Sequence, residues 1–128
     1  MTDPHPTEGE LAILHVLWKL GAPATVREVH EELLRSKDTA YTTVLKMLTI
    51  MGDKKLVRRD ESERSHRYTP LHSEPAVQSS MLKTFLQNTF SGSAVKLVQS
   101  ALADDRTSAE ELEAIGKLIA QAKSRRKK

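Results

Sequence analysis

The chain has 128 residues with no cysteine, and its 20 basic and 17 acidic residues give a formal net charge of +3 at pH 7. This length suits one domain or a small domain with an accessory region. The lack of cysteine excludes disulfides, thiolate metal sites and a cysteine nucleophile, and no segment approaches the roughly 20 apolar residues of a membrane span. Because the N-terminus also lacks a signal-like region, we expect a soluble, cytoplasmic protein.

Two N-terminal helices are predicted, and each begins with a capping box. Thr7 with Glu10 begins the first helix, which should end at Gly21, and Thr25 with Glu28 begins the second. Apolar residues recur at spacings of three and four in both segments, namely Leu11, Ile13, Leu14, Leu17 and Trp18, then Val26, Val29, Leu33 and Leu34. This pattern predicts two amphipathic helices that share a core.

A third helix is predicted from Tyr41, after a polar turn at 36–38, to a C-cap at Gly52, where a residue able to adopt positive φ is favoured. Its two faces differ. The apolar residues Val44, Leu45, Leu48 and Met51 are expected to face the core, whereas Thr42, Thr43, Lys46 and Thr49 lie opposite them. Short or flexible donors near a helix N-terminus are typical of a helix that enters the DNA major groove.

A wing is predicted next, with strands at 57–60 and 65–69 around a charged turn at 61–64. We expect its four arginines, Arg58, Arg59, Arg64 and Arg67, to lie near one edge that suits phosphate. Residues 39–71 hold seven basic and four acidic residues, whereas residues 1–38 hold four and seven. The order of three helices and a wing, with a basic segment at 39–71, predicts a winged helix-turn-helix that binds double-stranded DNA.

The candidate DNA-binding residues all belong to the third helix, its approach or the wing. They are Thr39, Tyr41, Thr42, Thr43, Lys46, Thr49, Arg58, Arg64, His66 and Arg67. For Thr42, Thr43 and Lys46 the alternative is a solvated polar face. Tyr41 could brace the turn or reach phosphate, and the sequence does not separate a phosphate contact of His66 from simple exposure.

The remaining residues predict helices at 73–88, 92–103 and 108–123, followed by a basic tail at 124–128 that we expect to be disordered. We therefore expect a DNA-binding domain at 1–72 and a helical dimerisation region at 73–123, because three short helices with few aromatic residues make a poor core alone. The candidate dimerisation residues are Phe85, Leu86, Val95, Leu97, Val98, Leu102, Leu112, Ile115 and Ile119. The alternatives are that the helices pack on their own wing, and that the tail contacts DNA nonspecifically.

No catalytic or metal-binding motif is convincing, so we predict no enzyme activity, metal or cofactor. Ser80 and Lys83 match S-x-x-K, but no partner motif follows, and both are interpreted as structural. His30, beside two glutamates, is interpreted as part of a solvated helix face, and no two histidines have metal-ligand spacing.

The segments TEGELAILHVLWKLG, PATVREVHEEL, AYTTVLKMLTIMGDKKLVRR and HRYTPL, within residues 7–71, resemble the penicillinase-repressor (BlaI/MecI) family. The resemblance implies a homodimeric winged-helix repressor that binds palindromic operators with TACA/TGTA-like half-sites, controls antibiotic-resistance or stress genes, and is often induced through a membrane-bound sensor protease. The alternative is a winged-helix protein-interaction module that does not bind specific DNA sequences.

One segment departs from the family pattern. The resemblance implies induction by cleavage of an Asn-Phe bond in the dimerisation region, but an alignment without gaps places Ser100 and Ala101 there. A protease pocket shaped for the missing side chains should cut this chain poorly. We therefore expect release from DNA to use another protease specificity or another signal, such as a ligand at the dimer interface.

Overall fold

The computed structural model describes residues 4–21 and 23–126. In chain order the elements are α1 (Glu8–Leu20), β1 (Ala24–Thr25), α2 (Val26–Leu33), α3 (Tyr41–Asp53), β2 (Val57–Asp60), β3 (Arg67–Pro70), α4 (Glu74–Phe90), α5 (Ala94–Leu102) and α6 (Ala109–Arg126). The predicted class, a mainly helical chain with a small β wing, is confirmed. None of the helices described here is both long and apolar enough to cross a membrane.

Both predicted capping boxes are present. Thr7 Oγ1 accepts a hydrogen bond from the Glu10 backbone N–H at 3.2 Å, and the Glu10 carboxylate accepts one from the Thr7 N–H at 2.9 Å. Thr25 and Glu28 repeat the arrangement at 3.1 and 2.9 Å. Gly21, with φ of 70°, ends α1 in the left-handed region. The two capping boxes therefore set the starts of α1 and α2, and Gly21 sets the end of α1.

The predicted end of α3 at Gly52 is wrong. The helix continues to Asp53, and Lys55 adopts positive φ at 64°. The Leu56 N–H donates to the Met51 carbonyl at 2.9 Å, which is the long bond of a Schellman turn with Lys55 at the left-handed position. The Leu56 side chain is 3% exposed. We infer that burial of Leu56 outweighs the preference for glycine at the left-handed position.

A partly buried ion pair joins the end of α3 to the start of α1. Lys54 Nζ donates to Glu10 Oε1 at 2.6 Å, and Glu10 is 5% exposed. Burial alone would raise the pKa of the Glu10 carboxyl, but the hydrogen bonds from Lys54 and the Thr7 backbone outweigh it and lower the pKa. Glu10 therefore stays ionised at neutral pH and holds both helices.

The sheet has the strand order β1-β3-β2, and all pairs are antiparallel. β1 was not predicted, because two residues are too few for a visible alternation. The return strand begins at Arg67, later than the predicted Ser65, and ends at Pro70. Tyr68 is paired with Arg59, and its side chain is 2% exposed. The sheet thus closes one side of the helical core.

The core lies among α1, α2, α3 and the sheet. Its buried apolar residues are Ile13, Leu14, Val16, Leu17, Ala24, Val26, Val29, Leu33, Val44, Leu48, Met51, Leu56, Val57 and Tyr68. Trp18 packs against this cluster, as predicted. Two predicted core residues are exposed instead, Leu34 at 45% and Leu45 at 42%. Leu34 follows the last residue of α2, and Leu45 points about 100° away from buried Val44.

The first compact unit runs to Thr84, further than the boundary expected at 72. The reason is that Val77 on α4 is fully buried, and Ser80 Oγ donates to the Pro4 carbonyl at 2.9 Å. Ser80 is therefore buried, and its role is structural.

The second unit begins at Phe85 and contains the end of α4 with α5 and α6. The three predicted C-terminal helices are present. No residue of α5 or α6 is buried within the described chain. α6 continues through Arg126, so residues 124–126 are helical and the expectation of a disordered tail is wrong for them. Residues 127 and 128 lie outside the described residues.

Candidate nucleic-acid interface

The outer face of α3 consists of exposed polar side chains. Thr42, Thr43, Lys46 and Thr49 are all exposed, as predicted, and they lie away from buried Val44 and Leu48. The Thr49 hydroxyl donates to the Leu45 carbonyl at 2.9 Å. The hydroxyls of Thr42 and Thr43 and the ammonium group of Lys46 are therefore the accessible donors of this face.

The N-terminus of α3 differs from those of α1 and α2. Its N-cap residue is Ala40, which provides no side-chain hydrogen bond, and its first turn contains no acidic residue. Backbone N–H groups that α1 and α2 satisfy with capping boxes are therefore left without a side-chain acceptor in α3. Open N–H groups and the positive end of the helix dipole favour an anion such as phosphate.

A recess separates α2, α3 and the wing tip, and we call it the α2–α3–wing recess. Its volume is about 340 Å³, and it is lined by Thr25, Val26, Arg27, Tyr41, Leu45, Arg64, Ser65, His66 and Tyr68. Three predicted DNA-binding residues, Tyr41, Arg64 and His66, meet here. Arg27 was missed by the sequence analysis, although its place opposite the apolar stripe of the second helix could have indicated an exposed basic side chain.

A second concavity, the α3–β2 cleft, lies between the C-terminal half of α3 and the first strand of the wing. Its volume is about 310 Å³, and its lining includes Thr49, Asp53, Lys55 and Arg58. The fold therefore places Thr49 beside Arg58, two residues predicted to bind DNA. Lys55, at the left-handed position after α3, adds a basic residue that the sequence analysis did not select.

The wing arginines do not share one edge, contrary to the expectation. Arg59 is paired with Tyr68 across the hairpin, so its side chain lies on the opposite face of the sheet from Arg58. Its guanidinium donates to Glu61 Oε2 at 3.0 and 3.2 Å. Strand alternation, with the core side set by Val57 and Tyr68, is the physical reason.

Arg67 is half-buried and lies between two carboxylates. Its guanidinium is 3.6 Å from Glu28 Oε1 on α2 and 3.6 Å from Glu63 Oε1 in the wing loop. The backbone N–H of Thr25 is the main cause that lowers the pKa of the Glu28 carboxyl, and Arg67 adds to it. Glu28 therefore stays ionised at neutral pH and is available to hold the wing against α2.

Some basic side chains near α3 form no salt bridge in the part of the chain that the structure describes. Lys46, Arg58 and Arg64 are exposed, and none of them forms one of the observed salt bridges. Arg27 is 3.9 Å from Glu31, and its side chain is 81% exposed. These residues are better placed than Arg59 or Arg67 to contact an anion.

The turn before α3 is fixed by His30. Its Nε2 donates to the Thr39 carbonyl at 2.8 Å, and its ring meets Tyr41 edge-on with centroids 5.8 Å apart. The expectation of a solvated His30 is therefore wrong, because the interhelical turn folds back over it. The Tyr41 ring braces this turn while the side chain stays 45% exposed. Thr39, half-buried, has its carbonyl committed to the same turn.

Across residues 4–21 and 23–126, no group of three or more His, Asp or Glu side chains is arranged to hold a metal ion. The two concavities described above are open and lined by side chains of α2, α3 and the wing. The exposed donors of α3, together with the basic side chains of α3 and the wing that form no salt bridge, are consequently the strongest candidate site of the described chain.

Comparisons with solved structures agree with this architecture. The solution structure of Bacillus licheniformis BlaI, in its monomeric form in complex with the blaP half-operator, has a TM-score of 0.50 and 25% identity, and covers 59% of this chain and 90% of that one. A MarR family protein from Bacillus stearothermophilus has a TM-score of 0.54 over 98% of this chain and 78% of that one, and its 18% identity indicates likeness of fold alone.

Sequence comparisons extend over nearly the whole chain. It is 36% identical over 115 residues to the transcriptional regulator BlaI of Mycobacterium tuberculosis H37Rv, which covers 88% of this chain and 80% of that protein. It is 26% identical over 124 residues to the penicillinase repressor of Bacillus licheniformis, with 97% and 96% covered. The family model for the penicillinase repressor matches residues 6–121. The chain therefore belongs to the penicillinase repressor family of winged-helix transcriptional regulators.

Proposed function

We propose that this chain is a cytoplasmic transcriptional repressor that acts as a homodimer on palindromic operators. In this proposal α3 enters the major groove and the wing holds the flanking backbone. The observation that carries it is the donor-rich, uncapped start of α3 beside exposed Arg64 and half-buried His66 in the α2–α3–wing recess. The half-operator complex of the Bacillus licheniformis relative supports the same class of ligand.

The homodimer is supported by the second unit. Its candidate dimerisation residues are exposed or half-buried, with Val95 at 70%, Phe85 at 50%, Ile119 at 49%, Leu112 at 45%, Val98 at 41% and Leu102 at 37%. Half-buried side chains complete this set of residues, namely Leu86, Leu97 and Ile115. Apolar helix faces of this kind are stabilised when a second copy removes them from water. Burying them in a twofold interface would also fix two copies of α3 relative to each other.

Selection of DNA from a random pool by the purified chain tests the proposal. We expect a palindrome whose half-sites are about one helical turn, ~10 base pairs, or a multiple of it, apart. Binding should weaken steeply as salt rises, because phosphate contacts release counterions. A pool that shows no enriched sequence, together with no binding at low salt, would contradict the proposal and favour a winged-helix protein-interaction module.

Lys46 and Arg64 are expected to contribute to binding in different ways. If Lys46 reaches a base edge, Lys46→Ala should relax discrimination at one operator position by about 1–3 kcal/mol. Arg64→Ala should weaken binding to all sequences and lower the salt slope by about one, as loss of one phosphate contact does. Fluorescence anisotropy with operator and single-base variants at several salt concentrations measures both effects.

Arg67→Ala is the matched control for Arg64→Ala, because it removes the same charge from the same wing. Arg67 was expected from the sequence to contact phosphate, but its carboxylate neighbours lead us to propose that it positions the wing. The Arg67 variant should then bind more weakly with a salt slope near that of the wild type. Equal, sequence-independent losses for Lys46→Ala and Arg64→Ala would contradict the assignment of the first to a base.

Release from DNA is proposed to proceed without the Asn-Phe cleavage of the family. Ser100 and Ala101 are exposed on α5 and offer neither an amide nor a ring to a protease pocket. An empty pocket for the ring forfeits about 1.5–3 kcal/mol of apolar burial. We expect the native chain to stay intact in cells given a cell-wall antibiotic, whereas a Ser100→Asn, Ala101→Phe double variant provides the positive control. Scission between residues 100 and 101, seen by mass spectrometry, would contradict this prediction.

A further inference from the structure

Leu45 is an exposed apolar side chain on a helix face that is otherwise polar or basic. It is 42% exposed, and its neighbours along the outer face are Thr42, Lys46 and Thr49. The core does not require it, because Val44 and Leu48 on the adjacent turn positions are fully buried and fill the contact with α1 and α2. An isolated exposed leucine is common on protein surfaces, so its location must supply the argument.

The location of Leu45 connects it to the proposed DNA-binding surface. It lies one turn after Tyr41, and both side chains line the α2–α3–wing recess with Arg64 and His66. The recess therefore brings the apolar side chain of Leu45 together with Arg64 and His66 of the wing. If α3 occupies the major groove, as the proposed function requires, Leu45 is carried to the edge of the bases together with Lys46.

The chemistry of the groove limits what Leu45 can recognise. A leucine side chain has no hydrogen-bond donor or acceptor, so the polar edges of guanine, cytosine and adenine offer it nothing. Thymine alone among the four bases presents an apolar group in the major groove, its C5-methyl. We propose that Leu45 is a specificity-determining residue that packs against the methyl group of one thymine in each half-site. This inference rests on the proposed function.

The test removes the methyl group from the DNA and leaves the protein unchanged. Each thymine of the operator selected by the full chain is replaced in turn by dU, which keeps every hydrogen-bonding group, and affinity is measured at one salt concentration. Loss of one buried methyl corresponds to about 0.8 kcal/mol, or about fourfold in affinity. We expect the wild type to lose about fourfold at one thymine of a half-site.

Leu45→Ala identifies the residue responsible. This variant should bind the unmodified operator about as weakly as the wild type binds the dU operator, and it should be indifferent to dU at that position. Ile50→Ala is the matched control, because Ile50 is also 42% exposed on α3 but does not line the recess. The Ile50→Ala variant should still lose about fourfold in affinity when that thymine is replaced by dU. Leu45→Gln, with a side chain of similar length, serves if the alanine variant is unstable.

Two results would overturn the inference. Either the wild type is indifferent to dU at every thymine, or Leu45→Ala and Leu45→Gln keep the wild-type response. Failure of the proposed function gives a different result. In that case the chain would bind no selected sequence more tightly than unrelated DNA. A chain that selects an operator and ignores all dU substitutions refutes only the role of Leu45.

Discussion

A chain that ends after Thr84 is expected to bind DNA as a monomer and to lose about 10²–10⁴-fold in operator affinity. The first compact unit is complete at this residue, because it retains buried Val77 and the Ser80 hydrogen bond to Pro4. It should therefore fold and still present α3. Without the second unit, nothing links two copies, so each half-site is bound independently.

Sedimentation of the shortened chain and its affinity for full and half operators measure this effect. A chain that ends after Lys123 is the control, since it loses the end of α6 but none of the candidate dimerisation residues, and it should remain a dimer. If the chain that ends after Thr84 is still a dimer, the interface lies in the first unit. Leu97→Glu should dissociate the full chain if Leu97 lies in the interface, because a buried unpaired charge is costly, whereas Ser100→Glu adds the same charge to exposed α5.

Leu48→Ala is expected to lower the free energy of unfolding by about 2–5 kcal/mol. Leu48 is fully buried on the core face of α3, so truncation leaves a cavity between α3 and the helices behind it. Leu45→Ala is the matched comparison, and it should cost at most about 1 kcal/mol because Leu45 is already 42% exposed. The pair separates the core face from the outer face of one helix.

Urea unfolding followed by the fluorescence of Trp18, the single tryptophan of the chain, measures both variants. All proteins must be compared at one concentration, since association stabilises the folded state by mass action. Equal losses for Leu48→Ala and Leu45→Ala would mean that Leu45 belongs to the core, as its spacing in the sequence suggested. That result would also remove the basis for assigning Leu45 to a base.

Local interactions made the helix starts predictable from the sequence. Thr7 with Glu10 and Thr25 with Glu28 bond across three residues, so their geometry depends on neighbouring backbone alone. The end of α3 was not predictable in the same way. A rule based on residue preference selects Gly52, whereas burial of Leu56, a contact with the rest of the fold, moves the left-handed residue to Lys55.

The polar face of α3 was also predictable, because Thr42, Lys46 and Thr49 recur with the helical period and oppose Val44 and Leu48. The helical period did not predict whether the Leu45 side chain is buried or exposed. It lies at the border between the two faces, where the pattern allows either side and the packing of neighbouring elements decides. Its exposure follows from where the wing sits relative to α3, which no local pattern of the chain encodes.

The sequence by itself predicted the six helices and the two wing strands, though not β1, and it determined which α3 residues carry donors and that the region from 39 to 71 is basic. These properties depend on neighbours a few positions apart. Only the tertiary structure decided which charges remain available: Arg67 meets Glu28 from a different element, and Arg27 joins Arg64 in one recess. Pairing of charges requires proximity within about 4 Å, and such proximity between distant residues arises only when the chain packs.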